Sequence, residues 1–250
     1  SLSVAAKADV LLIVTPAQHL RTTLENMKAD LTETKPIVIC AKGVEIQSGL
    51  LLSQIAEEAA PKSPIAILTG PTFAAEIARG LPSAVTLAMK DKGTAEKLAE
   101  ELSTRSLRMY ASDDVVGAQI GGAVKNVIAI ACGIIEGKKL GDSARAALVT
   151  RGLAEISRLG AALGAKKETL MGMCGVGDLL LTCSSMQSRN FSLGVALGQG
   201  ETLKNILAKR NSVTEGVTTA QARGVMAKNN AVDMPISEAV HKCLSDGANG

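Results

Sequence analysis

Aromatic side chains are nearly missing from this chain. Phe73, Phe191 and Tyr110 are the whole complement in 250 residues, and there is no tryptophan. The core must therefore be aliphatic, and a nucleic-acid surface built on stacked bases would have almost nothing to stack on. A strong excess of either charge is missing too: 27 basic and 24 acidic residues, mixed along the chain, leave only +3. Without a basic tail or block, nucleic acid and anionic membrane are poor partners. Two histidines, His19 and His241, are too few for a zinc cluster, and no metal site is expected. The five cysteines (Cys40, Cys132, Cys174, Cys183, Cys243) contain no Cys-x-x-Cys pair. They read as reduced core thiols of a cytosolic protein. The longest uninterrupted apolar run, 127–135, is too short to span a bilayer, so no membrane insertion is expected. The start has no basic stretch leading into an apolar one, so these first residues are not expected to form a signal peptide.

What is present divides into two halves. Up to Ser112, short apolar runs alternate with amphipathic stretches. Val10–Val14 reads as a strand buried on both faces, and Pro36–Cys40 and Ile65–Leu68 repeat the signal. Leu20, Leu24, Met27 and Leu31 recur at helical spacing, as do the apolar residues of 50–60. Such alternation predicts a mostly parallel sheet covered by helices. After Asp113 strand-like runs stop and helical stripes take over, such as Leu153, Ile156, Leu159 and Leu163. A boundary is expected near Ser112, giving an α/β unit over 1–112 and an all-helical unit over 113–250.

Three segments could carry chemistry. Residues 113–137 read as one long helix in which Gly117, Gly121 and Lys125 share a face. Each interior glycine costs roughly 1 kcal/mol relative to alanine, so the bare face needs a reason: close packing, or room for a ligand beside the lysine. Lys125 sits among Ala123, Val124, Val127 and Ile128, where it either snorkels to water or is desolvated toward proton-transfer range. In Cys174-Gly175-Val176-Gly177-Asp178, Asp178 could be a helix cap or the partner of a buried lysine. Ser188-Arg189-Asn190 at a helix start could be a solvated cap or an anion site. In the first half, Lys42 follows a strand, as does Gly70-Pro71-Thr72-Phe73-Ala74; ligands bind at that edge of doubly wound sheets.

Together these segments resemble the bacterial NAD(P)-dependent glycerol-3-phosphate dehydrogenases. The likeness runs through Val10–Pro16, Ala41-Lys42-Gly43, Gly70–Glu76, Gly122–Asn126, Cys174–Asp178 and Ser188–Asn190, in order and register. It implies a doubly wound Rossmann-like α/β unit, then an all-helical substrate domain. It further implies reversible hydride transfer between NAD or NADP and dihydroxyacetone phosphate, serving phospholipid precursor synthesis. By the resemblance, Lys125 is the general acid/base and Asp178 orients it. Lys42, Gly70, Thr72, Ser188, Arg189 and Asn190 contact the phosphate-bearing substrate, with Thr182 an additional phosphate neighbour. Lys42, Ala74, Arg189, Val213 and Glu215 border the cofactor, and a homodimer is in keeping with the helical half. One departure stands out: no three of the 24 glycines have the Gly-x-Gly-x-x-Gly spacing that cradles a cofactor pyrophosphate. With Ser1 at the front, this leads to the expectation that the cofactor unit is N-terminally incomplete and that Gly250 comes early. The competing readings are a non-catalytic binding or dimerisation protein on this fold and a related two-domain hydroxy-acid dehydrogenase.

Overall fold

The computed structural model describes residues 1–31, 35–210, 214–221 and 231–246. The first half contains α1 (Leu2–Ala5), β1 (Leu11–Ile13), α2 (Leu20–Met27), β2 (Ile37–Ile39), α3 (Leu52–Ala59) and β3 (Ile65–Thr69). It continues with α4 (Ala74–Ala78), β4 (Ser83–Met89), α5 (Lys92–Leu102) and β5 (Leu107–Ser112). The five strands form one sheet in the order β1-β2-β3-β4-β5. Pairs β1–β2, β2–β3 and β4–β5 are parallel, while β3–β4 is antiparallel. The carboxyl ends of β1–β3 and the amino ends of β4 and β5 therefore lie along one edge.

Alternation along the strands splits the core between two faces. Ile37, Ile39 and Ile67 pack with Leu20, Leu24 and Ile55, whereas Val38, Ala66, Val85 and Leu87 pack with Ala95, Leu98 and Ala99 of α5. Strand β1 departs from the expectation of burial on both faces. Leu11 and Ile13 are buried, but Leu12 is 48% and Val14 75% exposed. Helix α5 sits over β4 and β5, at the far end of the sheet, and leaves the Leu12 face uncovered among the described residues.

The second half is built around α6 (Val115–Gly137), against which α7 (Asp142–Ala162), α9 (Asp178–Ser184) and α10 (Arg189–Gly198) pack. Asp114 starts α6 by accepting from the Gly117 amide (2.8 Å), and its other oxygen accepts from the Lys166 amide (2.8 Å). A short α8 (Lys167–Met171) and a π-helical turn, Met173–Gly177, lead into α9. Helix α11 (Leu203–Ala208), helical residues 215–221 (α12) and α13 (Pro235–Asp246) complete the described elements. By length and mean hydropathy (1.6) α6 could cross a membrane, yet 83% of that stretch is buried inside the protein. It is the core helix of the second half.

The glycines of α6 serve close approach. A methyl group on Gly121 would run into the Cys174 carbonyl and lie 3.1 Å from Gly175 Cα, so the π-helical turn can sit directly on α6. Further along α6, a methyl on Gly194 would meet the Ile130 carbonyl and lie 2.9 Å from Gly133 Cα. This α6–α10 contact pairs Gly133 and Gly137 with Gly194 and Gly198; the four-residue spacing on each helix is visible in the sequence, but the pairing of the two stripes is not.

Candidate functional site

The backbone approach at Gly121 decides where the next turn of α6 points. Lys125, one turn further along the same face, meets Asp178 at the start of α9. Lys125 Nζ donates to Asp178 Oδ1 at 2.5 Å and to Thr182 Oγ1 at 2.7 Å. From the other half of the molecule, Lys42 Nζ donates to Asp178 Oδ2 at 2.7 Å and to the Gly70 carbonyl at 3.2 Å. Asp178 is fully buried and Lys125 is 5% exposed. One carboxylate thus joins two ammonium groups from two halves of the chain, and Lys125 does not snorkel to water.

Burial is the main influence on Lys125, and the nearby Lys42 charge acts in the same direction. Asp178 opposes both, and the outcome is a Lys125 pKa lowered to about 7. At neutral pH both protonation states of this amine are populated. The Cys40 thiol, on the same cavity wall, is pushed by burial up to about 11 and stays protonated, with Lys42 opposing weakly. Glu215 is raised by burial, against the pull of Arg189, Lys42 and Lys125.

These groups surround a cavity of about 670 Å³ along the sheet edge described above. Lys42, Thr72, Ala74, Lys125, Thr182, Ser188, Arg189, Asn190 and Glu215 all line it. Asp178 lies behind the wall, and Gly70 contributes through its carbonyl to Lys42. Val213 lies outside the described residues. Ser188 and Asn190 hold backbone: Ser188 Oγ accepts from the Phe191 amide (3.2 Å) and Asn190 Oδ1 from the Gly216 amide (2.9 Å). Arg189 is exposed on the rim. Thr182, which also lines the cavity, accepts a hydrogen bond from Lys125. Thr15, Thr69, Asn126 and Gln187, which no motif marks individually as site residues, also line the cavity. The first two lie at strand carboxyl ends, a signal that the sequence does carry.

The nicotinamide end of a dinucleotide fits this cavity. The hydroxyls of Thr15 and Thr69 are buried at strand carboxyl ends without a partner among the described residues, as groups awaiting a ligand amide would be. Gly122 lets Thr69 and Lys42 pack directly against α6, since a methyl on it would lie 3.1 Å from Thr69 Oγ1 and 3.4 Å from Lys42 Cγ.

Residues 2–95 match the family described as NAD-dependent glycerol-3-phosphate dehydrogenase N-terminus, and residues 114–249 the corresponding C-terminus. The chain belongs to the NAD-dependent glycerol-3-phosphate dehydrogenase family. It is 56% identical over 247 residues to glycerol-3-phosphate dehydrogenase [NAD(P)+] of Parvibaculum lavamentivorans, covering 99% of this chain and 74% of that relative. The enzyme of the same name from Rhodospirillum rubrum is 58% identical over 238 residues, covering 95% of this chain and 68% of the relative. The crystal structure of glycerol-3-phosphate dehydrogenase from Coxiella burnetii superposes with a TM-score of 0.95 at 36% identity, covering the whole of this chain and 77% of that one. A D-mandelate dehydrogenase with NADH, at 18% identity and a TM-score of 0.62, covers 96% of this chain and 79% of that one; it shares the fold alone. The Rossmann-like sheet followed by a helical domain is thus the family's architecture.

Proposed function

We propose that this chain is the catalytic protein of a reversible hydride transfer between NAD(P)H and dihydroxyacetone phosphate, giving sn-glycerol 3-phosphate. The observation that carries the reading is the buried Lys125, bonded to Asp178 on the cavity wall and with a pKa lowered to about 7. NAD(P)H, when bound, supplies the hydride. Lys125 Nζ gives a proton to the substrate carbonyl oxygen during reduction and takes it back from the hydroxyl during oxidation. An amine whose pKa lies at the working pH serves both directions. Asp178 and Thr182 fix where that proton sits, and Lys42 shares Asp178 and holds the Lys125 pKa down.

The substrate phosphate is assigned to the first turn of α10, where free amides, the helix dipole and the Arg189 guanidinium converge. Ser188 and Asn190 keep that turn in place through their backbone bonds. Gly70 anchors Lys42 and Thr72 borders the substrate, while Ala74, Arg189, Glu215 and Val213 border the cofactor side. A role in phospholipid precursor synthesis, a cytoplasmic location, a homodimer and a domain boundary after Ser112 belong to the same reading.

The test separates proton transfer from phosphate recognition. Lys125→Met is expected to lower kcat by about 10²–10⁴-fold with inorganic phosphate binding unchanged. Arg189→Gln is expected mainly to raise KM. Retention of kcat by Lys125→Met refutes the assignment.

A further inference from the structure

Arg210 follows α11 and reaches back to the first turn of α10. Its guanidinium donates to the Arg189 carbonyl oxygen at 2.7 Å and to Ser192 Oγ at 3.0 Å. Among the described residues, both partners are neutral oxygens. The acid near Arg210, Glu201, is engaged by Lys209 Nζ at 2.7 Å. Burial, and then the like charge of Arg189, lower the Arg210 pKa, with Glu201 only partly opposing. Arg210 therefore brings a second cation to the backbone of Arg189 at the start of a ten-residue helix. Arg189 lines the cavity and Arg210 does not. An anion in the cavity would meet the Arg189 guanidinium directly and the Arg210 charge behind it.

We propose that Arg210 is a positioning residue for the substrate phosphate: it clamps the backbone of Arg189 and backs it with a second positive charge. The inference rests on the assignment of the phosphate to the first turn of α10. Its chemistry is that of a dianion, which two cations recognise better than one. Arg210 acts through Arg189 without touching the reacting atoms.

Binding of inorganic phosphate, measured by calorimetry, tests this without turnover. Arg210→Gln is expected to weaken phosphate binding and raise KM by about five- to tenfold, a difference that shrinks at high salt. The kcat and melting temperature should stay near the parent values, and Arg210→Lys should recover part of the affinity. Phosphate binding by Arg210→Gln within about twofold of the parent overturns the proposal. So does a parallel loss of kcat and melting temperature that Arg210→Lys restores without restoring affinity, because that is a purely structural role. Arg189→Gln separates the levels. If it weakens phosphate binding and Arg210→Gln does not, only this inference fails. If neither variant changes binding, the phosphate assignment falls and takes the inference with it.

Discussion

Asp178→Asn is the sharpest perturbation of the site. Asp178 is fully buried and accepts from Lys125 (2.5 Å), Lys42 (2.7 Å) and the Thr182 hydroxyl (3.4 Å). The substitution keeps the shape and removes the charge, leaving two ammonium groups facing one another. Breaking a buried pair costs about 3–5 kcal/mol, and the lower end is expected here because Lys125 can shed its proton. Asp178 holds the Lys125 pKa up against burial and Lys42, so without it the pKa falls below about 7. A fall of about 2 units takes the protonated fraction at pH 7 from about half to about one in a hundred. The kcat for reduction should then drop on the order of fifty-fold at pH 7 and recover toward pH 5. Nicotinamide absorbance gives the pH–rate profile, and urea denaturation gives the stability. A variant with the parent profile and parent stability would refute the reasoning. The parent protein carries a linked signature. The folded pKa of Lys125 (about 7) lies below its ordinary 10.5, so the folded state binds fewer protons between those values and stability rises with pH across that window.

Two further perturbations address the scaffold. Gly194→Ala would push a methyl group into the α6 backbone at Ile130 and Gly133, costing about 3 kcal/mol in urea denaturation; a change under about 0.5 kcal/mol would mean the helices separate freely. Glu155, 1% exposed on α7, accepts from the Ile236 amide (2.5 Å), the Ser237 amide (3.2 Å) and Ser237 Oγ (2.8 Å) at the start of α13. Glu155→Ala should cost about 2–4 kcal/mol and increase amide exchange in α13. Unchanged exchange there would show that α13 is held by its apolar face alone.

Much of the fold is legible in the sequence, because each helix and strand answers to local rules. The apolar runs ending in Thr15-Pro16, Cys40 and Thr69 mark the strands whose carboxyl ends carry the site. Asp114 shows how a single acidic cap sets the start of a long helix. Legibility stops where partners are distant in sequence. A run such as Val10–Val14 looks alike whether one face is covered or both, and only the position of α5 leaves Leu12 and Val14 exposed. The antiparallel β3–β4 pair is equally silent, since strand direction leaves no mark on composition. The Gly133/Gly137 and Gly194/Gly198 spacings mark a bare stripe on each of two helices, but that the stripes face each other is decided only by folding.

By itself, the sequence determined the aliphatic core, the order of strands and helices, and the residue types available for chemistry. The scarcity of aromatics already leaves recognition to charges and backbone groups. Tertiary structure alone decided what Lys125 is. At its place on α6 it could have reached solvent. Glycine-permitted contact with the π-helical turn brings Asp178 to 2.5 Å, and Lys42 arrives from the sheet edge. A lysine pKa is set by what surrounds its ammonium, and those surroundings come from positions 83 residues before it and 53 after it, which only folding brings together.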